Sequence, residues 1–201
     1  MSSVLSNPEA PEDLDDGSDP LVSVEDYLER EAAALNSRHE YVAGRIYAMT
    51  GVSDRHNLIV GNLFALLHGR LRRGGDCRLF MSDMKLRLRQ DDSDCFYYPD
   101  LMVCRDPSDR ARYWREHPCL IVEVLSALTE RVDTREKLWA YRRLEGLGAY
   151  LILAQTRPQA RLFHPGGSLA GELHEGPQAT IELPCGLGAV RLAEVYEGVP
   201  A

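Results

Sequence analysis

Residues 96–104 of this chain read Phe-Tyr-Tyr-Pro-Asp-Leu-Met-Val-Cys, and residues 119–126 read Cys-Leu-Ile-Val-Glu-Val-Leu-Ser. Both stretches have the length and the nearly continuous apolar character of central strands that are covered on both faces. An ionised carboxylate almost never enters a protein core without a partner, because its desolvation is costly. Glu123 therefore predicts a metal ion, a cation or solvent beside it, and Asp100 places a second acid at the start of the neighbouring strand.

Helices and turns are predicted on either side of these two strands. Apolar residues recur at helical spacing after Ser23 and after Ser53, and two short β-prone runs flank Ala43-Gly44 as in a tight hairpin. The predicted helices span about 23–35, 53–73 and 131–145, the predicted hairpin spans 40–49, and the other predicted strands span 77–89 (with a bulge near Ser82), 96–104, 119–125, 149–154, 159–164 and 179–183. This order predicts an α/β fold with a mixed central sheet flanked by helices, preceded by an N-terminal helix and hairpin.

Charge is distributed unevenly along the chain. Of the 31 acidic residues, six fall within residues 1–20, which contain no Lys or Arg, so residues 21–201 hold 25 acids against 23 bases and carry a formal charge of −2. The N-terminal segment is too polar to bury enough surface to offset its ordering entropy. We therefore expect a disordered acidic tail at 1–20 and a single domain at 21–201. The nearly neutral domain neither demands nor excludes a phosphate-rich partner.

The five cysteines, Cys77, Cys95, Cys104, Cys119 and Cys185, include no Cys-x-x-Cys pair, which argues against a zinc ribbon. Three of them sit within strand-like apolar runs, where a free thiol packs as a small hydrophobic group. Free thiols are typical of a reducing compartment. No apolar run approaches the ~20 residues that a membrane span needs, and the N-terminus lacks the basic and then apolar pattern of a secretory signal. The expectation is a soluble, cytoplasmic protein with no membrane partner.

Asp100, Glu123 and Lys137 form the combination with the clearest chemistry. Two carboxylates on adjacent strands repel each other, and a divalent cation relieves that repulsion. Mg²⁺ or Mn²⁺ is expected, because the available ligands are hard oxygens, including the backbone carbonyl of Val124, with water completing the shell. Such an ion polarises a phosphoryl oxygen and lowers the pKa of a bound water, while a nearby ammonium steadies the developing charge. The predicted chemistry is phosphodiester hydrolysis.

The same residues carry a resemblance to a known nuclease superfamily. Pro99-Asp100 followed by Glu123-Val124-Leu125 resembles the Pro-Asp...(Asp/Glu)-x-Lys signature of restriction-endonuclease-like nucleases, except that Leu125 stands where the signature has lysine. The bacterial branch of endonucleases called Uma-two has this lysine in the following helix. The chain resembles that branch over about residues 22–196, and the residues that carry the resemblance are Glu40, Gly44, His56, Pro99, Asp100, the run from Glu123 to Ser126, Asp133, Lys137 and Tyr141.

The resemblance implies both a fold and a function. It implies a restriction-endonuclease-like core and a metal-dependent endonuclease acting on nucleic acid, with DNA as the expected substrate and a homodimer as the expected assembly. By this resemblance Asp100 and Glu123 are metal ligands, and Lys137 is the displaced lysine that positions or activates the water. The resemblance also implies that Glu40 is an additional acid that binds the metal ion and takes part in catalysis, and that His56 is a catalytic residue.

Simpler interpretations of these residues stay open at this point. Asp133 and Lys137 also fit an i, i+4 ion pair on a helix surface, and Glu123 also fits a structural ion pair in a core. Asp100 also fits a turn residue, Glu40 a solvated strand end, and His56 a solvent-facing or packing histidine. Two further functions stay open as well: a non-catalytic nucleic-acid- or protein-binding module that retains the nuclease fold, and a hydrolase of smaller phosphoesters.

Overall fold

The computed structural model describes residues 20–49, 51–71, 77–90, 93–125 and 136–200 of the chain. Its helices are α1 (Val24–Ala33), α2 (Asp54–Leu71), α3 (Leu138–Tyr141) and α4 (Leu192–Val195). Its strands are β1 (His39–Val42), β2 (Arg45–Ala48), β3 (Arg78–Met81), β4 (Lys85–Gln90), β5 (Ser93–Tyr97), β6 (Leu101–Cys104), β7 (Trp114–Arg115), β8 (Pro118–Leu125), β9 (Ala149–Ala154), β10 (Gln159–Phe163), β11 (Glu172–Glu175), β12 (Thr180–Leu183) and β13 (Gly188–Arg191). The predicted mixed α/β class is confirmed. Within these described ranges, no helix combines the length and the apolar character needed to cross a membrane.

The strands form two main sheets and one separate pair. The six-stranded sheet has the order β11-β10-β9-β8-β6-β3, in which β8 is parallel to β9 and antiparallel to β6. The five-stranded sheet has the order β2-β1-β5-β4-β7, and β12 pairs with β13. On β8, Ile121 and Val122 are buried in different apolar clusters on opposite faces. This position between two cores explains why β8 is apolar at nearly every residue.

Three buried apolar clusters separate the layers. The first lies between the six-stranded sheet and α2, where Leu63 packs in one cluster with Val122. The second lies between the two sheets and joins Ile121 of β8 with Tyr97 of β5. The third lies under α1, where the ring of Tyr27 is fully buried against the outer face of the five-stranded sheet. The layers therefore follow the order α1, five-stranded sheet, six-stranded sheet, α2.

The N-terminal helix and the hairpin follow their predictions closely. Oγ of Ser23 accepts a hydrogen bond from the backbone N–H of Asp26 at 3.1 Å, as an N-cap should. Ala43 and Gly44 have φ values of 48° and 93°, which is the left-handed conformation that a two-residue hairpin turn of type I′ requires. The turn pairs β1 with β2, and β1 also pairs with β5. The hairpin therefore carries Glu40 in β1, which also lies beside β5.

Two predicted strands are wrong in the same way, because each is two strands in different sheets. The segment 77–89 is divided into β3 and β4, with a turn in place of the expected bulge, and the segment 96–104 is divided into β5 and β6. The breaks fall at Ser82, which has a φ of 38°, and near Pro99, which has no N–H for a strand ladder. The N–H of Ser82 donates to the carbonyl of Asp100 at 3.1 Å. This hydrogen bond joins the two points at which the chain passes from one sheet to the other. Asp100 therefore lies in a kink just before β6.

The later part of the chain is predicted incompletely. The strands expected at 119–125, 149–154, 159–164 and 179–183 are confirmed as β8, β9, β10 and β12, whereas β7, β11, β13 and α4 have no counterpart in the prediction. Of the helix expected at 131–145, α3 is present, and residues 131–135, including Asp133, lie outside the described residues. Residues 1–19 of the expected tail and Ser126 also lie outside them.

One pair of cysteines departs from the expectation of free thiols. Cys119 and Cys185 form a disulfide bond, which ties β8 to the segment between β12 and β13 across a separation of 66 residues. Cys77, Cys95 and Cys104 are free, and the last two are buried as core thiols. The spacing of Cys119 and Cys185 carries no information on their pairing, because the two residues meet only through the fold.

Candidate active site

Two carboxylates meet at one end of the six-stranded sheet. β6 and β8 are antiparallel with Leu101 paired to Val122, so Asp100, just before β6, faces Glu123 on β8. The backbone N–H of Val124 donates to Oδ2 of Asp100 at 2.7 Å, which fixes that carboxylate beside the strand. The side chain of Asp100 is 17% exposed and that of Glu123 is 6% exposed. The expected pair of acids on adjacent strands is therefore present, and Asp100 is the more accessible of the two.

Lys137 supplies one cation to two acids. Its Nζ lies 3.0 Å from Oε1 of Glu40 and 3.1 Å from Oε1 of Glu123, and its side chain is 7% exposed. Four residues further along, the hydroxyl of Tyr141 donates to the same Oε1 of Glu123 at 3.3 Å. The centroid of the Tyr97 ring is 5.6 Å from the ammonium, within the range of a cation–π interaction. Lys137 is therefore buried rather than on the surface, and the alternative pair with Asp133 involves a residue outside the described ranges.

His56 lies in the first turn of α2 and is directed at Asp100. Its backbone N–H donates to Oγ of Ser53 at 3.2 Å, and its Nε2 lies 3.0 Å from Oδ2 of Asp100. The ring is buried, and Nδ1 has no hydrogen-bond partner in the part of the chain that the structure describes. A carboxylate oxygen can only accept, so the ring donates from Nε2 to Asp100. His56 is thus not solvent-facing, and its ring orients the Asp100 carboxylate.

Glu40 reaches the site from β1 of the five-stranded sheet. Its Oε1 accepts a hydrogen bond from the backbone N–H of Tyr98 at 3.3 Å, in addition to the ion pair with Lys137. The side chain is 14% exposed, so Glu40 is not a solvated strand end. Glu123 belongs to the other sheet, and the contacts of Lys137 with both glutamates therefore join the two sheets at this point.

Among the residues that the structure describes, the site carries more negative than positive charge. In this part of the chain, three carboxylates, those of Asp100, Glu123 and Glu40, are set against the ammonium of Lys137. The Oε1 atoms of Glu40 and Glu123 are no more than about 6 Å apart, because both lie within 3.1 Å of the same Nζ. Among the residues that the structure describes, no three His, Cys, Asp or Glu side chains are grouped so that they could hold a metal ion. The site therefore offers pairs of carboxylates rather than a complete protein cage.

A second buried lysine lies behind the site and has no counterpart in the sequence prediction. Lys85, at the start of β4, is buried with its Nζ 5.3 Å from the centroid of the Tyr98 ring. Burial lowers the pKa of Lys85, and the Glu31 carboxylate raises it by a smaller amount. The low lysine content of the sequence could have indicated this residue, since only two of the 23 basic side chains are lysines. In the structure both lysines are buried. In a chain that otherwise uses arginine, a lysine indicates a position that requires a compact ammonium.

Comparisons with known proteins agree with the fold. The family model described as "Putative restriction endonuclease" (Uma2) matches residues 24–193. Two proteins of Synechocystis sp. (strain ATCC 27184 / PCC 6803 / Kazusa) are similar. "Uncharacterized protein slr1290" is 37% identical over 146 residues, which cover 72% of this chain and 75% of that protein. "Uncharacterized protein sll1609" is 32% identical over 140 residues, which cover 67% and 76%.

A solved structure is also similar. It is described as a "putative nuclease belonging to DUF820" from Anabaena variabilis ATCC 29413 and matches with a TM-score of 0.70 at 13% sequence identity. The match covers 89% of this chain and 99% of that chain. A likeness at this level of identity bears on the fold alone, and the fold is the restriction-endonuclease-like one that the sequence predicts.

Proposed function

The chain belongs to the Uma2 family of restriction-endonuclease-like proteins, and on that premise we propose that it is a metal-dependent endonuclease that hydrolyses phosphodiester bonds of DNA. The observation that carries the proposal is the contact of Lys137 with Glu40 and Glu123. Asp100 lies opposite Glu123 on the adjacent strand. An ammonium held among carboxylates from two sheets is suited to charge that develops on a phosphoryl group. Acids are rarely buried unless they are paired, and here two buried acids are paired with one ammonium.

The donor set fits Mg²⁺ or Mn²⁺. Both ions take hard oxygen ligands, and Mg²⁺ is usually held by one or two carboxylates together with waters and substrate phosphates. Asp100 and Glu123 would be the pair of carboxylates that binds the ion, with the backbone carbonyl of Val124 and water as further oxygen donors. Glu40 would bind it only after a rearrangement, because the described side chains do not bring three ligands together. Such an ion, when bound, polarises a phosphoryl oxygen and lowers the pKa of a bound water. Among the described residues of the site, carboxylates outnumber the ammonium, and such an excess of negative charge attracts a divalent cation.

The remaining roles belong to the chain's own groups. The ammonium of Lys137 holds the attacking water or stabilises the negative charge that develops on the phosphate. The hydroxyl of Tyr141 fixes Glu123 beside that ammonium. Both hydrogen bonds to Asp100, from His56 and from Val124, use Oδ2, so Oδ1 is the oxygen that we assign to the ion. His56 acts on Asp100, and we therefore assign it a positioning role in place of direct catalysis.

Two catalytic centres are useful when both strands of a duplex must be cut, and a homodimer would supply one for each strand. We include the homodimer in the proposal on the basis of the family resemblance. Size-exclusion chromatography with light scattering measures the assembly directly. Twice the mass of the chain is the expected result, and the mass of a single chain at every concentration would remove the dimer from the proposal.

The nuclease proposal is tested by cleavage of supercoiled plasmid and of single-stranded DNA in the presence of Mg²⁺, Mn²⁺ or EDTA. Glu123→Gln and Lys137→Met are compared with Glu182→Gln, which changes an exposed glutamate on β12. We expect metal-dependent cutting by the wild type and by Glu182→Gln, and a loss of at least about 100-fold in the two site variants. Circular dichroism establishes that each variant is folded. Equal cutting by all four proteins would exclude this site as the catalytic centre.

One feature of the site also fits a non-catalytic module that retains the nuclease fold. Lys137 contacts two glutamates, so part of the charge in the site is balanced without a metal ion. In that case no folded sample cuts DNA, and calorimetry detects no binding of Mg²⁺. A hydrolase of smaller phosphoesters would behave differently from both, because it would cleave a chromogenic phosphodiester and DNA would not compete.

A further inference from the structure

Glu31 is a buried carboxylate that lies outside the proposed site. It belongs to α1, and its side chain is 4% exposed. Oε1 accepts hydrogen bonds from the hydroxyl of Tyr98 at 2.7 Å and from the backbone N–H of His39 at 3.1 Å, and Oε2 lies 2.9 Å from Nδ1 of His39. Burial raises the pKa of the Glu31 carboxyl, but the hydrogen bonds from Tyr98 and His39 together lower it by more, so the net pKa is below its usual value. Glu31 is therefore an ionised group with both oxygens engaged.

Both partners of Glu31 adjoin Glu40. His39 is the residue before Glu40 in β1, and Glu31 binds it through its backbone and its ring. Tyr98 donates its backbone N–H to Oε1 of Glu40 at 3.3 Å, while its hydroxyl donates to Glu31. Burial and the hydrogen bond to Glu31 raise the pKa of Tyr98, which keeps its hydroxyl protonated and able to donate. One carboxylate thus fixes both the strand that carries Glu40 and the amide that binds Glu40.

We propose that Glu31 is a positioning residue that holds Glu40 in contact with Lys137 and so sets the geometry of the site. Where the metal ion is concerned, this inference rests on the proposed function. Hydrogen-bond partners that stand behind a metal ligand typically change metal affinity by about 10–100-fold. The competing explanation is that Glu31 only fastens α1 to the five-stranded sheet through the same bonds. The two roles differ in what happens at Lys137 when Glu31 is replaced.

The low lysine content makes Lys137 directly observable. Protein labelled with ¹³C-lysine gives two ε-methylene NMR signals, because the chain contains two lysines, and the variant Lys85→Arg assigns them. The Lys137 signal depends on the carboxylates beside its ammonium, so Glu40→Ala defines where the signal lies when Glu40 is absent. This measurement requires neither a metal ion nor a substrate.

The test compares Glu31→Ala and Glu31→Gln with Glu29→Gln, which changes an exposed glutamate on the same helix. We expect Glu31→Ala to move the Lys137 signal in the direction that Glu40→Ala moves it, and to weaken Mg²⁺ binding measured by calorimetry by about 10-fold or more. Glu29→Gln is expected to change neither. Glu31→Gln keeps the shape of the side chain and should give a smaller change of the same sign, and it replaces Glu31→Ala if that variant does not fold.

The double variant separates positioning from helix docking. Adding Glu31→Ala to Glu40→Ala is expected to leave the Lys137 signal where Glu40→Ala alone puts it, because the residue through which Glu31 acts is already absent. The proposal is overturned if a folded Glu31 variant keeps the Lys137 signal at its wild-type position. It is also overturned if Glu31→Ala moves this signal as far in the Glu40→Ala background as it does in the wild-type background. If the wild type binds no Mg²⁺ and cuts no DNA, the proposed function fails, but the metal-free Lys137 comparison still decides the role of Glu31.

Discussion

Lys137→Met is the most direct perturbation of the site, because it removes the ammonium and keeps most of the apolar stem. In the structure that ammonium lies within 3.1 Å of the Oε1 atoms of both Glu40 and Glu123, and all three side chains are largely buried. Without the ammonium, two carboxylates face each other between the two sheets. We therefore expect the variant to lose stability, by an amount that follows from this geometry.

Coulomb's law sets the scale of that loss. The two Oε1 atoms are at most about 6 Å apart, and two unit charges at that distance repel each other by about 3 kcal/mol at an effective dielectric constant of about 20, which is therefore a lower limit. Removing one partner of a buried ion pair typically costs about 3–5 kcal/mol, because the remaining charge stays buried without compensation. The two values agree, and Lys137→Met is expected to lower the free energy of unfolding at pH 7 by about 3–5 kcal/mol. Domains have a total stability of about 5–15 kcal/mol, so the variant should be weakened but still folded.

Urea unfolding followed by circular dichroism measures this loss. The matched control is Lys85→Met, which removes the other lysine and is expected to cost less than about 1 kcal/mol, since burial already disfavours the charged form of Lys85. Adding Glu123→Gln to Lys137→Met removes one of the two facing charges and should recover most of the lost stability. A cost below about 1 kcal/mol for Lys137→Met, or a further loss on adding Glu123→Gln, would refute the claim that charge holds this cluster together.

Three further predictions concern the disulfide bond, Glu31 and Lys85. Reduction of the Cys119–Cys185 disulfide should lower the free energy of unfolding by up to about 4 kcal/mol, which is the chain-entropy value for a separation of 66 residues. Urea unfolding with and without dithiothreitol measures this loss, and equal unfolding midpoints would contradict the presence of the bond. The pKa of Glu31 is depressed by folding, so its carboxylate contributes stability above the ordinary value of 4.5 that is lost as the pH falls through the folded pKa. The unfolding free energy of Glu31→Gln should therefore depend less on pH in this acidic range than that of the wild type, and parallel pH profiles would argue against it. Because burial lowers the pKa of Lys85, its ε-methylene NMR signal should titrate with a midpoint below 10.5, and a midpoint at or above 10.5 would show that its ammonium is solvated or paired.

Several features of the site have local causes in the sequence and were therefore predictable. Glu123 is the acid in an otherwise apolar run, and this exception can be recognised from the sequence of that one strand. The structure has Glu123 buried in β8, as expected. The hairpin that carries Glu40 is indicated by Gly44 between two β-prone runs, because glycine readily adopts the positive φ that a type I′ turn requires. The pairing of the strands beside Asp100 and Glu123 follows from the tendency of strands near in sequence to be neighbours in a sheet.

The kink between β5 and β6 has no such local cause, and it determines the geometry of the site. An apolar run through 96–104 has the same appearance whether it forms one strand or two strands in different sheets, because both halves are buried. A continuous strand would use the N–H of Tyr98 in its ladder, whereas the break leaves that N–H to bind Glu40. The break also puts Asp100 where the N–H of Val124 and the ring of His56 reach the same oxygen. Acids from both sheets therefore gather at one place because the chain changes sheets there, which is a tertiary event that periodicity within either half cannot reveal.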